Sequence, residues 1–311
     1  DIKQKASELG IRPSGISGTG EGGHKGRLRS ELIAAIRLQE LADGDYLAAY
    51  ERVLSDAAYR CFSCLVALRF LEVNAFLPGD EFSLSAVDSG EALSLPEQDE
   101  NSDELFTFLF IKKCQKLAKL FPSIFAGIPD YLELLLSLSY EDEDGPVRRL
   151  LLDIPEAYFD LRRGGQVEII GWFYQYYTAD RRDEIISLNV KQIEKADIPV
   201  ATQVFTPDWI VRYLLDNSLG RYWLEGKPDS PLRKKLEFYV EPKGPRSGVH
   251  QGHRPAQITP QELTVLDPCV GSGHILLYAF DLLLDLYREC GYSEAEAARE
   301  IVRHNLHGID I

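Results

Sequence analysis

The sequence of 311 residues contains no methionine, not even at its first position. A chain of this length would ordinarily carry several. We therefore expect either that the sequence begins inside a longer protein or that residues are missing from it. Spacings within motifs are accordingly more secure than spacings across loops.

Basic residues and long apolar runs are also scarce. Lys and Arg number 34 against 49 Asp and Glu, a net charge of −15. This balance argues against broad nonspecific affinity for nucleic acid by these residues alone. No apolar run reaches the roughly 18 to 20 residues of a membrane span, and the first residues do not form a signal peptide. We expect a cytoplasmic protein whose DNA contacts, if any, use a local patch or a part outside this sequence.

The five cysteines are few, odd in number and scattered, which favours a reduced compartment over a disulfide framework. Cys61 and Cys64 form a Cys-x-x-Cys, but they lie in an apolar segment with helical periodicity. No second Cys/His pair accompanies them, so packing explains them better than zinc or redox chemistry. We predict no metal site.

The length suits about two domains. Residues 1–160 predict an almost wholly helical domain, 161–200 a helical connector, and 201–311 the first part of a second domain. The connector holds five aromatic residues in the six from Trp172 to Tyr177. Aromatic stripes usually form a core or a domain interface, which we favour over base stacking. The helices predicted in the first domain are 1–10, 27–37, 46–73, 104–120, 129–140 and 146–152.

Three other segments have a simple interpretation. Gly18, Gly20 and Gly23 formally satisfy Gly-x-Gly-x-x-Gly, but we predict no strand before them, and a linker is favoured over a phosphate loop. The segment Ala179–Lys195 is predicted to be a charged link. The run Glu241–Pro255 is rich in Gly and Pro and locally basic. We favour a disordered loop over a DNA contact for it.

The most informative stretch runs from Leu263 to Leu277. Apolar and β-branched residues predict a buried strand that ends at Asp267, and the pattern then changes to a turn and a helix that begins at His274. Gly271 and Gly273 in the turn allow the backbone to approach a ligand. Doubly wound sheets bind small molecules at such a turn.

A second strand is predicted after this helix. Ser293 is a natural N-cap for a further helix to Asn305, and Leu306–Ile311 begins the strand, with Asp310 near its end. The two strands then form a β-α-β unit whose acidic residues, Asp267 and Asp310, open on one crevice. A carboxylate after the second strand suits ribose hydroxyls.

A helix upstream of the turn is predicted to begin at Pro207, with Thr206 as its N-cap, and to end at Gly220. Its free amide groups face the preceding residues, from Gln203 to Thr206. The sequence thus offers a second polar segment for a ligand.

This pattern fits a dinucleotide or S-adenosylmethionine, and three features favour the latter. The turn lacks the third glycine of the dinucleotide motif. Asp310 lies far more than the usual separation of about 20 residues beyond the turn. Finally, Asp267 would repel a pyrophosphate but complement an ammonium group. A nicotinamide-dependent oxidoreductase is therefore disfavoured.

The motifs carry a family resemblance. Asp267-Pro-Cys-Val-Gly-Ser-Gly-His resembles the first motif of amino-directed DNA methyltransferases, and Gly308-Ile-Asp resembles the next motif. Gln203-Val-Phe-Thr-Pro resembles the cofactor motif that precedes them in the gamma arrangement. The flanks Tyr59–Leu77 and Ile169–Tyr177 are similar to the PglX-like adenine-specific methyltransferases of BREX phage-defence systems. Type I modification subunits and methyltransferases of combined restriction-modification enzymes share the motifs but match the flanks less well.

The resemblance implies a Rossmann-like α/β methyltransferase domain, truncated here, behind the mainly α N-terminal domain. It implies transfer of a methyl group from S-adenosylmethionine to the N6 amine of adenine in double-stranded DNA, with other phage-defence subunits as candidate partners. Asp310 would hold the ribose. The residues implied for the rest of the cofactor are Gln203, Phe205, Thr206, Pro207, Asp267, Pro268, Gly271 and Gly273.

The catalytic motif of this family, Asn/Asp-Pro-Pro-Tyr/Phe, appears nowhere in the sequence. The resemblance therefore implies an N-terminal fragment with no catalytic residue, no activity alone and little or no cofactor affinity alone. A non-catalytic scaffold with a methyltransferase-like fold is the alternative. An Asn-Pro-Pro-Tyr motif beyond these residues would favour catalysis, and its absence would favour the scaffold.

Overall fold

The computed structural model divides into two compact units, Asp1–Phe173 and Tyr174–Ile311. Within the described part of the chain, no helix is long and apolar enough to cross a membrane. The structure describes residues 2–18, 22–77, 84, 102–136, 138, 142, 144–187, 193, 198–202, 206–241 and 258–310.

The first unit is mainly helical, as predicted, and its longest helices are where the sequence places them. Asp45 caps the helix Tyr46–Val73, because its carboxylate accepts a hydrogen bond of 2.8 Å from the amide of Ala48. The preceding helix ends at Gly44, which has the left-handed φ of 74°. The elements of this unit are α1 Ile2–Glu8, β1 Ile11–Arg12, β2 Gly15–Ile16, α2 Gly23–Asp43, α3 Tyr46–Val73, α4 Ser102–Leu117, α5 Pro122–Phe125, α6 Leu132–Leu135, α7 Pro146–Leu152 and the start of α8, Ile169–Tyr177.

Two predictions for this unit are wrong. The helix expected over 129–140 is only the single turn α6, because the backbone at Leu136 becomes extended, with ψ of 139°. The glycine-rich segment does follow strands, since β1 and β2 form a short antiparallel hairpin. The helix α2 then begins at Gly23. Gly20 lies outside the described residues.

The Cys-x-x-Cys packs in the core of the first unit. Cys61 and Cys64 on α3 and Cys114 on α4 are all buried. Burial raises the pKa of Cys61 to about 12, and the pKa of Cys114 is also raised, through its hydrogen bond to Cys64 and through burial. Protonated, buried thiols behave as small apolar side chains, as the packing interpretation predicts.

The side chain of Asn74, directly after α3, connects the end of this helix to a distant loop. Its side-chain amide donates to the carbonyls of Phe70, at 2.9 Å, and Phe159, at 2.7 Å. Its amide oxygen accepts a hydrogen bond of 3.0 Å from the amide of Leu161. The Asn74 side chain therefore holds a distant loop against α3, because its amide nitrogen and its amide oxygen both form hydrogen bonds with backbone groups.

The aromatic stripe of α8 has two roles. Phe173 packs against Phe62 and Phe159, with ring centroids 6.0 Å apart in each pair. Trp172 and Tyr176 are exposed, at 41% and 81%. The core interpretation is thus right for Phe173, whereas Trp172 and Tyr176 do not lie in a core. A domain interface at these two rings stays a prediction.

The second unit combines helices with a small parallel sheet. Strand β3 pairs with β4 in the register Val265 to Leu306, Leu266 to His307 and Asp267 to Gly308. Its elements are α9 Ala179–Ser187, α10 Ile198–Thr202, α11 Asp208–Leu215, a π-helical turn Asp216–Gly220, α12 Arg221–Gly226, β3 Val265–Asp267, α13 His274–Glu289, α14 Glu294–Glu300, a second π-helical turn Ile301–Asn305 and β4 Leu306–Gly308.

Three details of this unit differ from the predictions. The charged link contains the helix α9. The N-cap of α11 is Pro207, whose ψ of 140° is extended, and not Thr206. The strand β3 is not buried throughout, since Leu266 is 59% exposed whereas Asp267 is 5% exposed. Within the described residues its sheet has only two strands. The basic run Glu241–Pro255 lies outside the described residues, apart from Glu241.

Candidate functional site

The turn between β3 and α13 has two glycines, where no side chain covers the backbone. Gly271 and Gly273 adopt left-handed φ angles of 53° and 83°, which favour glycine. A Cβ atom on Gly271 would meet no described atom within 4 Å, and one on Gly273 would meet only Val270, at 4.0 Å. A ligand can therefore approach the main chain of this turn.

The turn is tied closely to the end of β4. The amide of Val270 donates to the carbonyl of Ile309 at 3.1 Å, and the amide of Ile309 donates to the carbonyl of Asp267 at 2.9 Å. Gly308 permits this approach, because a Cβ atom there would lie 2.5 Å from Cγ2 of Val270. The glycine of the second motif is thus needed for packing against the first motif.

Asp267 carries the most unusual polar atom of the site. Its Oδ1 accepts a hydrogen bond of 3.0 Å from the amide of Cys269, which shapes the turn. Its Oδ2 is buried and has no hydrogen-bond partner among the described residues. An unsatisfied buried polar group costs about 1 to 3 kcal/mol, and more when it is charged. A cationic or hydrogen-bonding group that reached this oxygen would therefore be stabilised by it.

Asp310 lies beside the same turn. Its carboxylate accepts a hydrogen bond from the backbone amide of Gly271. The side chain proposed for the ribose and the turn proposed for the methionine portion are therefore in direct contact. Pro268, which follows Asp267, is exposed on the turn.

Residues of the upstream motif also lie near the start of α13. Nδ1 of His274, the first residue of α13, lies 3.1 Å from the carbonyl oxygen of Thr206. Pro207 follows as the N-cap of α11. The structure thus brings Thr206 and Pro207 to the start of α13. Gln203 and Phe205 lie outside the described residues.

Four side chains that the sequence interpretation missed, two on α11 and two on α13, connect these helices. Asp208 and Arg212 are one helical turn apart on α11, and His274 and Tyr278 are one turn apart on α13. Arg212 donates to Asp208 at 2.6 Å and lies over the ring of Tyr278, 4.9 Å from its centroid. The i,i+4 spacing of polar residues at the starts of both helices was the available signal.

The buried side-chain amide of Asn305 holds the chain before β3 close to the start of β4. Nδ2 of Asn305 donates to the carbonyls of Pro260, at 2.7 Å, and Leu263, at 2.6 Å. Its Oδ1 accepts a hydrogen bond of 3.0 Å from Tyr287. Asn305 immediately precedes β4 and contacts the chain just before β3, so it fixes the two strands relative to each other.

These features fit S-adenosylmethionine. The open glycine backbone leaves room for its methionine portion, and the buried Oδ2 of Asp267 suits an ammonium group. Asp310 places a carboxylate beside the same turn. Among the described residues, no group of three His, Cys, Asp or Glu side chains is arranged to hold a metal ion.

Known proteins resemble the chain over most of its length. No protein-family model matches it. The adenine-specific methyltransferase PglX of Lacticaseibacillus casei (strain Zhang) is 35% identical over 362 aligned positions, which include all of this chain. The adenine-specific methyltransferase BrxX of Escherichia coli O9:H4 (strain HS) is 37% identical over 288 aligned positions, which cover 84% of this chain.

The chain spans only part of these relatives, 30% of the length of PglX and 23% of that of BrxX. The similarity nevertheless covers the first unit as well as the residues of the glycine turn. The resemblance inferred from the motifs is thus confirmed, and the chain is similar to a part of the adenine-specific methyltransferases PglX and BrxX.

Proposed function

We propose that the chain is part of an adenine-specific DNA methyltransferase that transfers a methyl group from S-adenosylmethionine to the N6 amine of adenine in double-stranded DNA. We assign it to a phage-defence system of the BREX type, in the cytoplasm. The similarity to PglX and BrxX supports the enzyme class. Other subunits of such a system are candidate partners.

The observation that carries the cofactor assignment is the buried Oδ2 of Asp267 beside an open glycine turn. An ammonium group placed there would satisfy an atom that otherwise has no partner among the described residues. A pyrophosphate would instead meet a negative charge in a poorly hydrated place. The contact between Asp310 and Gly271 supports one site for the methionine portion and the ribose of the cofactor.

We assign each residue a role from its position. When bound, S-adenosylmethionine supplies an activated methyl group. Gly271 and Gly273 provide backbone that the methionine portion can approach, Asp267 binds the ammonium group and Asp310 binds the ribose. Thr206 and Pro207, together with Gln203 and Phe205, contact the other side of the cofactor.

The sequence lacks the motif that receives the target base in this family. No Asn/Asp-Pro-Pro-Tyr/Phe motif occurs in the sequence. We therefore propose that the groups that receive the flipped adenine belong to another part of the protein. The net charge of −15 likewise favours a main DNA-binding surface outside these residues.

We propose that residues 201–311 form the first part of a Rossmann-like methyltransferase domain. The parallel pairing of β3 and β4, connected through α13 and α14, supports this assignment. Residues 1–160 would form a helical N-terminal domain and 161–200 a helical connector. The chain would then contribute half of the cofactor crevice and none of the base pocket.

Titration calorimetry on the full-length protein tests the cofactor. We expect S-adenosylhomocysteine to bind, and NAD to bind weakly or not at all. The variant Asp267→Ala should bind at least about tenfold more weakly, which corresponds to about 1.4 kcal/mol. Asp229→Asn is a matched control, because Asp229 is an exposed acidic residue of the same unit outside the site. Tight NAD binding with no response to S-adenosylhomocysteine would overturn the assignment.

Methyl transfer to DNA tests the reaction. The full-length protein, with any partner subunits it requires, should label adenine at N6, and residues 1–311 alone should not. Turnover by the isolated 311 residues would contradict the proposal that the base-binding groups lie elsewhere.

A further inference from the structure

We infer that His274 is a positioning residue, which holds Thr206 and the start of α11 close to the glycine turn. The inference rests on the proposed function, because it concerns the affinity of the same site. It assigns a role to a side chain that need not touch the cofactor. His274 directly follows Gly273 and begins α13.

The contact from His274 to Thr206 has a fixed direction. A carbonyl oxygen only accepts hydrogen bonds, so Nδ1 of His274 must carry the proton at 3.1 Å from the oxygen of Thr206. The side chain of His274 is 13% exposed, so water competes little for this hydrogen bond. The partner atom is backbone and belongs to the residue between Phe205 and Pro207, which are both proposed cofactor contacts.

The other ring nitrogen faces a carboxylate. Nε2 of His274 lies 3.8 Å from Oδ1 of Asp208, and Oδ2 of Asp208 accepts a 2.6 Å hydrogen bond from Arg212. Both nitrogens of the imidazole thus face α11 or the residue before its N-cap. The ring therefore bridges the beginnings of two helices.

The bridge continues to a buried anchor. The guanidinium of Arg212 lies over the ring of Tyr278, and the hydroxyl of Tyr278 donates to Asp216 at 2.8 Å. Asp216 is fully buried. The column from His274 to Asp216 is therefore fixed at its inner end, and His274 is the end that meets the cofactor motifs.

From this geometry, we expect loss of the His274 contact to weaken cofactor binding in addition to any loss of stability. Thr206 and Gly271 are separated by more than 60 residues along the chain, so their relative position depends on contacts between α11 and α13. A displacement of about 1 Å at a binding site can reduce function about a hundredfold. Loss of the His274 contact releases the carbonyl of Thr206 while the buried anchor at Asp216 still holds the helices together.

Two variants of His274 separate positioning from general packing. In His274→Asn, the side-chain amide offers a donor close to the place of Nδ1, whereas His274→Ala offers none. His304→Ala serves as control, since His304 is an exposed histidine of the same unit whose ring faces Glu300 at 3.8 Å. All three are made in the full-length protein.

We expect His274→Ala to bind S-adenosylhomocysteine about tenfold or more weakly by calorimetry, in keeping with a displaced contact segment. His274→Asn should recover most of the affinity, and His304→Ala should bind as the unchanged protein does. A purely structural role would lower the melting temperature without this recovery. Unchanged affinity in His274→Ala, or equal weakening in His274→Asn, would overturn the inference.

Hydrogen exchange tests the bridge without the cofactor. The amides of Ile210 and Val211 donate to the carbonyl of Pro207, at 2.9 Å and 3.2 Å, and so report on the first turn of α11. Their exchange should be faster in His274→Ala and should return towards the original rate in His274→Asn. If the unchanged protein fails to bind S-adenosylhomocysteine, the proposed function fails, but this exchange still decides whether His274 holds the segment. Equal exchange in all variants would show that it does not.

Discussion

The hydroxyl of Tyr278 donates a 2.8 Å hydrogen bond to Oδ1 of Asp216, an aspartate with no exposed surface. The second oxygen of Asp216 accepts a 2.9 Å hydrogen bond from the amide of Phe238. Asp216 lies in the π-helical turn after α11, and Tyr278 lies one helical turn after His274. This pair therefore joins the helix that follows the glycine turn to the helix that follows the upstream motif.

The first prediction concerns the strength of this junction. Tyr278→Phe removes the hydroxyl and leaves Oδ1 of Asp216 buried without that donor. The free energy of unfolding should fall by about 1 to 3 kcal/mol, the usual cost of an unsatisfied buried polar group. Urea denaturation measures it. Tyr292→Phe, on an exposed tyrosine of the same unit, should change the free energy less. Equal stability of Tyr278→Phe and the unchanged protein would contradict this account.

The second prediction concerns alkaline pH. Burial and the hydrogen bond to Asp216 raise the pKa of Tyr278 above its ordinary value of 10.0. Above pH 10 the unfolded chain releases this proton while the folded chain retains it. Folding then binds a proton, and stability falls as pH rises. Tyr278→Phe should therefore lose stability less steeply between pH 10 and 11.5 than the unchanged protein does. Denaturant midpoints at several pH values measure the two slopes, and parallel slopes would contradict the prediction.

The strand, turn and helix around Gly271 could be predicted because their signals are local. The change of residue pattern at Asp267 and the helix start at His274 are determined by neighbours in the sequence, and the structure places both there. The cap at Ser293 is equally local, and the structure adds a capping box between its side chain and Glu296.

Contacts between distant segments could not be predicted in the same way. The pairing of His274 with Thr206 and of Asn305 with Leu263 joins residues that are 68 and 42 positions apart. No periodicity in the sequence specifies such partners. The exposure of Leu266 was also missed, because burial depends on how many strands and helices cover a sheet and not on the apolar character of the strand.

The third prediction uses cysteine reactivity to locate the cofactor. Cys269 lies in the turn and is exposed, and Cys290 is exposed at the far end of α13. In the full-length protein, N-ethylmaleimide should modify both, whereas the buried Cys61, with its raised pKa, should react slowly. S-adenosylhomocysteine should slow the modification of Cys269 and leave Cys290 unaffected. Peptide mass spectrometry over time measures each rate. Equal rates at Cys269 with and without the ligand would place the cofactor elsewhere.

The fourth prediction concerns the close packing of the two motifs. In Gly308→Ala, the new methyl group would lie 2.5 Å from Cγ2 of Val270, so the Val270 side chain, the turn or β4 must shift. Overpacking of this kind typically costs about 1 to 3 kcal/mol, and here it would also displace Gly271 and weaken the binding of S-adenosylhomocysteine.

A second substitution shows whether this particular contact is responsible. Val270→Ala removes Cγ2 and makes room for the methyl group, so the double variant Val270→Ala/Gly308→Ala should bind and melt more nearly like Val270→Ala alone. Neighbouring side chains that compete for one space show such coupling in a double-mutant cycle, commonly about 0.5 to 3 kcal/mol. Additive losses would mean that Gly308 matters for its backbone and not for the space beside Val270. Coupled losses would mean that the glycine of the second motif is required because the first motif packs directly on it.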